Sequence, residues 1–351
     1  MGIGPFPLAS EGTVRIRLRA AVSRSLACAS FAIALGVFAT AMDVPAAAAD
    51  EPAGVEFARE PGRLRITVDR APLATYVYAD PLISRPYFAD VHAPGGIQVT
   101  RNHPPIARQD RMDHPEFHPG IWLAFGDLSG NDYWRLKARV VHQAFTRVPL
   151  GGSKLAAFSV ENQYLNQRDE SKIVCREVCG IAITVRPAGY LLLWESTFDS
   201  DEEFYFGDQE EMGLGVRVAT TLRVERGNGS LPPGTGTMTD SAGRKNGAEI
   251  GGNAADWCDY SGTLNGCRVG MTIFCHPQNF RPSWFHARDY GFLAANPFGR
   301  AAFRKGEPSK IVVKPGERLR LRYGILLHAG KPESKPDLDT AYADYVRLSR
   351  E

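Results

Sequence analysis

The sequence predicts an all-β protein, a large antiparallel two-layer β-sandwich (supersandwich-like) with one C-terminal helix. Glycine (35 residues) and proline (24 residues) are abundant and aromatic side chains make up 10% of the chain, which is typical of many short strands joined by tight turns. Segments that alternate apolar and polar residues recur along the chain, whereas helical periodicity is clear only near its end.

A targeting segment precedes the predicted domain. Four arginines lie between residues 15 and 24, an apolar run covers residues 26–42, and small residues at 46–49 suit signal-peptide cleavage. The apolar run is short for a transmembrane span, and no later segment reaches that length. We therefore predict a signal peptide over residues 1–49, export to the periplasm or the extracellular space, and no membrane span after cleavage.

A single domain is predicted over residues 50–351. Its first strands, at 55–60, 63–69 and 73–78, form a meander in which Pro61 and Gly62 supply a hairpin turn. The later strands alternate in polarity or are rich in β-branched and aromatic residues, and glycine or proline marks several of the turns between them. They are predicted at residues 136–143, 155–164, 181–186, 190–197, 214–225, 267–274, 310–314 and 318–327, with a glycine-rich mobile surface loop or ragged hairpin at 227–252.

The one predicted helix covers residues 337–351. Asp337 or Asp339 can cap its N-terminus, and Tyr342, Tyr345 and Val346 recur at helical spacing.

Charge and cysteine content limit the partners. The 41 basic and 39 acidic residues give a net charge of +2, without the concentrated basic surface that nucleic-acid binding requires. Of the six cysteines, Cys28 falls in the signal peptide, and the remaining five could form disulfides in an exported protein. Cys258 and Cys267 flank a turn that a bridge could close, and an odd number leaves at least one thiol unpaired within the chain. The sequence does not indicate the oligomeric state.

The main candidate site is a loop-rich block between residues 85 and 134. His103, His114 and His118 lie there, and the prolines that follow His114 and His118 hold both on extended backbone. Histidine titrates near neutral pH, so all three are candidate acid–base catalysts, with Asp113 as a carboxylate partner. The alternatives are that they hydrogen-bond the loop backbone or bind a divalent metal. No cofactor is required by the sequence.

Other parts of the chain supply further candidates. Glu210 and Glu211 end an acidic segment that could pair a carboxylate with a histidine, the alternative being a solvated loop. Trp122 is a candidate platform for a sugar ring, the alternative being core packing. The remaining candidate substrate-binding residues are polar, charged or aromatic side chains that we expect to converge at one face of the sandwich: Arg101, Asn102, Arg217, Asp259, Tyr260, His276, His286, Arg288 and Asn296.

Six motifs together resemble a known family. They are TRNHPP (100–105), DHPEFHPGIW (113–122), FGDLSGNDYW (125–134), EEMGLGVRVA (210–219), WCDYSG (257–262) and WFHARDYGFLAANPFG (284–299). In this order they are similar to a bacterial family of unknown function labelled "methane oxygenase PmoA". The resemblance implies an exported or periplasmic β-sandwich, common in bacteria that degrade complex polysaccharides. The label itself does not transfer, because a membrane methane monooxygenase subunit is polytopic.

A remoter likeness is to the galactose mutarotase-type supersandwich. Enzymes of that group use an Asn/His-rich loop, a second histidine and a glutamate around a sugar. The likeness implies those parts for Asn102 with His103, for His118, and for Glu210 or Glu211.

Three functions are consistent with these residues. The first is an exported carbohydrate-active enzyme, an epimerase, lyase or hydrolase, that acts on a small-molecule or glycan substrate by histidine–carboxylate acid–base chemistry, with an arginine stabilising developing negative charge. The second is a non-catalytic glycan-binding module that uses the same face. The third is a metal-dependent oxygenase, as the family label suggests.

Overall fold

The computed structural model describes residues 54–227 and 229–349, so the predicted signal peptide lies outside the described residues. Two eight-stranded antiparallel sheets form its two layers. With strands numbered in chain order, the first sheet contains β1 (Val55–Glu60), β2 (Arg63–Val68), β3 (Ala71–Val77), β4 (Tyr87–Ala89), β7 (Ile121–Phe125), β13 (Met212–Arg217), β18 (Phe292–Asn296) and β17 (Trp284–Arg288), in this spatial order.

The second sheet is built largely from long hairpins. Its spatial order is β14 (Thr237–Asp240), β15 (Trp257–Leu264), β16 (Cys267–Cys275), β20 (Leu319–Gly330), β11 (Gly189–Asp199), β10 (Ile173–Arg186), β9 (Ala156–Leu165) and β8 (Val140–Leu150). Two short ribbons complete the strands: β5 (His92–Ala93) with β6 (Ile97–Gln98), and β12 (Phe204–Phe206) with β19 (Ile311–Val313).

The core lies between the two sheets. Aromatic rings make contact across the layers: Tyr76 on β3 lies 5.1 Å from Phe158 on β9, and Phe88 on β4 lies 5.7 Å from Trp194 on β11, between ring centroids. Because side chains alternate between the faces of a strand, each sheet also has an outer face. Two smaller buried clusters lie outside the main core, one around Trp122 and Phe292 and one around Phe274 and Leu326.

The fold-class prediction is confirmed, and some of the predicted boundaries are wrong. The helix α2 (Leu338–Leu348) begins after Asp337, whose side chain accepts a hydrogen bond from the Thr340 N–H as an N-cap does. The strand predicted at 214–225 ends at Arg217 and is followed by a 3₁₀ turn, Thr220–Leu222. The segment 227–252, predicted as a surface loop or a ragged hairpin, contains β14 and a short helix, α1 (Asn246–Ile250).

The bridge that was possible between Cys258 and Cys267 is not formed. In the β15–β16 hairpin Cys258 lies opposite Ile273, whereas Cys267 lies opposite Leu264 beside the turn, so the register keeps the two thiols apart. Cys175, Cys179, Cys258, Cys267 and Cys275 are all free. We therefore expect the same unfolding temperature by differential scanning calorimetry with and without dithiothreitol, and a clear fall in reductant would contradict the free-thiol arrangement.

No helix in residues 54–227 and 229–349 combines the length and the apolar character needed to cross a bilayer.

Candidate functional site

The outer face of the first sheet forms the floor of the candidate site. On β7, β13 and β18 the outward positions include Ala124, Gly215 and Ala294, whose small size leaves room above the sheet. Gly215 is required there, because a Cβ at this position would lie 2.7 Å from the Trp122 ring. The indole therefore lies flat on the floor, fully buried, and the role of exposed sugar platform predicted for Trp122 is wrong.

A cavity of about 90 Å³ opens on this floor. Its lining residues come from segments that are far apart in the sequence, and we had expected such segments to converge at one face of the sandwich. The block containing His114 and His118 supplies one wall, and the block containing His286, Tyr290 and Phe292 supplies another. Phe117, Trp134, Arg135 and Glu211 complete the lining.

One buried arginine organises the first wall. The Arg101 guanidinium donates to four backbone carbonyl oxygens, those of residues 111, 113, 114 and 118, at 2.9, 2.6, 3.0 and 3.1 Å. Its side chain is 1% exposed, so it is covered by the loop that it holds. Arg101 therefore positions the histidines and does not face the cavity as the predicted substrate contact.

His118 lies at the centre of an aromatic stack. Its ring is nearly parallel to the rings of His114, Trp122 and Phe292, at centroid distances of 4.8, 5.0 and 4.7 Å. Arg217 Nη1 lies 3.5 Å from His118 Nδ1, and because a guanidinium only donates, Nδ1 accepts and the proton of the neutral ring is on Nε2. Burial and the charge of Arg217 lower the pKa of His118 well below 6.5.

Asp113 fixes the other end of Arg217. Its Oδ1 accepts from Arg217 Nη2 at 2.8 Å, and its Oδ2 lies 3.1 Å from His114 Nδ1. Burial alone would raise the pKa of Asp113, but the Arg217 guanidinium holds that pKa well below its usual value. Asp113 is therefore a carboxylate that orients Arg217 and His114.

The neutral ring of His286 is in the opposite tautomer to that of His118. Its Nδ1 lies 3.2 Å from the backbone oxygen of Glu210, and because a carbonyl only accepts, the proton of the neutral ring is on Nδ1 and Nε2 carries the lone pair. Glu210 Oε2 lies 3.5 Å from Nε2 and 3.0 Å from Arg288 Nη2. Burial and the nearby Arg288 lower the pKa of His286 to about 3, so at neutral pH its contact with Glu210 is not an ion pair.

Asn296 holds the acidic segment against this histidine. It is fully buried, and its amide nitrogen donates to the backbone oxygens of Gln209 and Glu210 at 2.7 and 3.1 Å. Its amide oxygen accepts from the N–H groups of Phe298 and Gly299, so the whole side chain is committed to the backbone. Asn296 is a positioning residue, in contrast to the predicted substrate contact.

Glu211 is the carboxylate that lines the cavity. Arg135 Nη2 donates to its Oε2 at 2.5 Å, and Arg135 Nη1 donates to Asp132 at 3.1 Å. Arg135 and Tyr290 were not among the predicted site residues. Arg135 directly follows the motif at 125–134 and Tyr290 lies inside the motif at 284–299, so the motifs themselves were the available signal.

The structure places the remaining predicted residues elsewhere. His103 lines a separate cavity and packs against the Tyr87 ring at 5.3 Å, and Asn102 donates to Asp110 at 2.8 Å. Asp259 lies on β15 of the second sheet, and His276 directly follows β16 of the same sheet. Tyr260 is buried in the core and donates to the backbone oxygen of Asp289. These side chains do not line the cavity, because strand alternation and sheet order direct them away from it.

The donor set does not form a metal site. Within the described part of the chain, no group of three or more His, Cys, Asp or Glu side chains is arranged to hold a metal ion. At His118 the reason is electrostatic, since Arg217 occupies the Nδ1 lone pair and Arg101 lies behind the same loop.

The buried neutral histidines predict acid sensitivity of folding. Between pH 6.5 and about 3 the unfolded chain binds a proton at residue 286 that the folded chain does not, so stability falls as the pH falls through this window. We expect His286→Gln to reduce the slope of unfolding free energy against pH by about 1.4 kcal/mol per pH unit between pH 5.5 and 4.5, where the unfolded imidazole is almost fully protonated. Urea unfolding at three pH values measures both slopes, and parallel slopes would contradict a buried neutral imidazole.

Comparison with known proteins supplies a family and distant structural relatives. A family model described as "Family of unknown function (DUF6807)" matches residues 63–342. No curated protein matches the sequence.

The solved structures that match are distant. A galactose mutarotase-like protein from Lactobacillus casei is 10% identical, with a TM-score of 0.33, and covers 78% of this chain and 100% of its own. One from Clostridium acetobutylicum is 8% identical, with a TM-score of 0.34, over 80% and 99%. The GH36 α-galactosidase from Geobacillus stearothermophilus is 8% identical, with a TM-score of 0.38, over 79% of this chain and 41% of that one. This chain thus spans about two fifths of that enzyme.

Proposed function

The chain belongs to the DUF6807 family of unknown function, and from its cavity we propose that it is an exported carbohydrate-active enzyme that acts on a sugar or glycoside by acid–base catalysis. The proposal depends on two neutral imidazoles that lie beside one cavity in opposite tautomers. His118 presents an N–H at Nε2, and His286 presents a lone pair at Nε2. The two rings flank Phe292, at 4.7 and 4.9 Å between centroids.

This pair is suited to move protons in one direction across a substrate. His286 accepts a proton from a hydroxyl or a carbon of the sugar, and the imidazolium that forms gains Glu210 Oε2, 3.5 Å away, as its counter-ion. His118 transfers its Nε2 proton to an oxygen on the other side of the substrate. Arg217 Nη1, 3.5 Å from Nδ1, stabilises the negative charge that this transfer leaves on the ring.

The surroundings favour a sugar. Aromatic rings of Phe117 and Tyr290 border the cavity and can pack against the C–H faces of a pyranose, while Arg135 and Glu211 offer planar charged groups to its hydroxyls. The small volume suits one edge of a ring, with the rest of the substrate against the rim.

Two alternatives have specific consequences. A non-catalytic glycan-binding module would use the same rim without any need for the fixed tautomers of His118 and His286. The metal-dependent oxygenase suggested by the PmoA label requires a ligand set that the described residues do not provide.

Proton NMR in D₂O tests the proposal. Purified protein is incubated with a panel of monosaccharides, uronic acids and aryl glycosides, and the anomeric and ring signals are followed. An epimerase or lyase exchanges a carbon-bound proton for deuterium or forms an alkene, a mutarotase speeds anomer equilibration, and a hydrolase releases a new anomeric signal. Saturation transfer to a sugar that is never converted would instead establish the binding module.

A further inference from the structure

A second cavity lies on the outer face of the other sheet, beneath the C-terminal helix. Its volume is about 640 Å³. Leu191, Phe274 and Leu326 form an apolar floor on β11, β16 and β20, and Ala341 of α2 forms part of the wall. None of its lining residues belongs to the site described above.

A buried histidine–carboxylate pair is built into this cavity. His328 lines it and is 3% exposed, and its Nε2 lies 2.8 Å from Asp259 Oδ1, two strands away. The side chain crosses the intervening strand at Gly270, where a Cβ would lie 2.8 Å from His328 Nε2. Glycine at this position therefore makes the pairing possible.

The carboxylate is fully committed to its neighbours. Thr272 donates to Asp259 Oδ1 at 2.8 Å and Ser261 donates to Oδ2 at 2.6 Å. Ser261 in turn accepts from Arg268 Nη2 at 2.9 Å. Because a carboxylate only accepts, His328 donates from Nε2, and the pair fixes Ser261 and, through Ser261, the Arg268 guanidinium.

The side chains that line the cavity include more basic than acidic groups. Both acidic side chains of the lining are occupied: Asp337 caps α2, and Asp344 pairs with Arg186 at 2.6 Å and with Arg347. In contrast, Arg268, Lys331 and Lys335 take part in none of the ion pairs among the described residues, and the buried Nε of Arg268 has no hydrogen-bond partner there. A cavity with an apolar floor and uncompensated cations fits an anion with an apolar body.

We propose that this cavity binds a small organic carboxylate with an apolar aromatic or alkyl body. The body packs on Leu191, Phe274 and Leu326, and the carboxylate accepts from Arg268, with Lys331 at the rim. The site is independent of the sugar chemistry proposed for the first sheet.

Isothermal titration calorimetry with 4-phenylbutyrate tests the proposal. We expect wild-type protein to bind it, and the uncharged 4-phenylbutanol to bind at least ~10-fold more weakly, because a charge-assisted hydrogen bond is stronger than a neutral one. Arg268→Gln should weaken phenylbutyrate binding by a similar factor. Ala341→Trp, which fills the cavity from the partly exposed helix, should abolish binding of both compounds.

Arg320→Gln is the matched control. Arg320 lies on the same face of β20 at its other end, where it pairs with Glu195 at 2.5 Å, and its removal should leave the affinity unchanged. Absence of phenylbutyrate binding to the wild type would overturn the proposal. So would affinity that is equal for the acid and the alcohol, or that is insensitive to both Arg268→Gln and Ala341→Trp.

Discussion

His118→Gln should reduce kcat by about 10²- to 10⁴-fold on the sugar that the wild type converts, the range expected when a general acid–base group is lost. Glutamine keeps an N–H near the position of the imidazole Nε2, so hydrogen bonding to the substrate survives. Glutamine cannot transfer a proton, so turnover is lost. We therefore expect the dissociation constant, measured by saturation-transfer NMR titration, to change by less than ~5-fold while conversion is lost.

His103→Gln is the control for this substitution. His103 is also partly buried, and burial also lowers its pKa, but it lies in a different cavity against Tyr87. Its replacement should leave kcat near the wild-type value. Equal losses in the two variants would point to a general effect on folding, and a loss of affinity and turnover together at His118 would make that residue a binding contact alone.

The sequence predicted the architecture well because a strand with one face in solvent alternates apolar and polar residues, and this alternation is visible in the sequence. β1 and β2 begin where alternation begins, and the helix begins after a capping aspartate. β7 was missed because all five of its residues are buried, so no alternation is visible. It also lies inside a block whose prolines and histidines indicated loops.

The sequence predicted which blocks of the chain form the site more accurately than it predicted the role of each residue within them. The convergence of the His118 and His286 blocks followed from their polar composition, but the roles within them depend on sheet register. Asn296 and Arg101 use their side chains to hydrogen-bond backbone groups. Composition alone does not distinguish such residues from residues that contact a substrate. Asp259 lies within the same apparent cluster as His286 but on the opposite sheet, because β15 and β17 belong to different layers.

The largest effect on stability is expected at Arg101. Arg101→Gln removes donors from four backbone carbonyls and leaves those carbonyls covered by the loop between residues 111 and 118. Losing one partner of a buried charged network costs about 3–5 kcal/mol, and the remaining carbonyls cannot be satisfied without opening the loop. We therefore expect a fall of that size in the unfolding free energy measured by urea titration, with loss of activity because His114 and His118 are displaced.

Arg111→Gln is the comparison that separates burial from charge. Arg111 lies in the same loop and pairs with Asp113 at 3.1 Å and with Glu225, but its side chain is 32% exposed. Ion pairs that water can reach contribute about 0–1 kcal/mol, so this variant should lose less than about 1 kcal/mol. Similar losses at residues 101 and 111 would mean that the loop is held by net charge. A large loss at Arg101 alone would mean that one guanidinium, by collecting the carbonyls of the loop, keeps His118 stacked against the sheet.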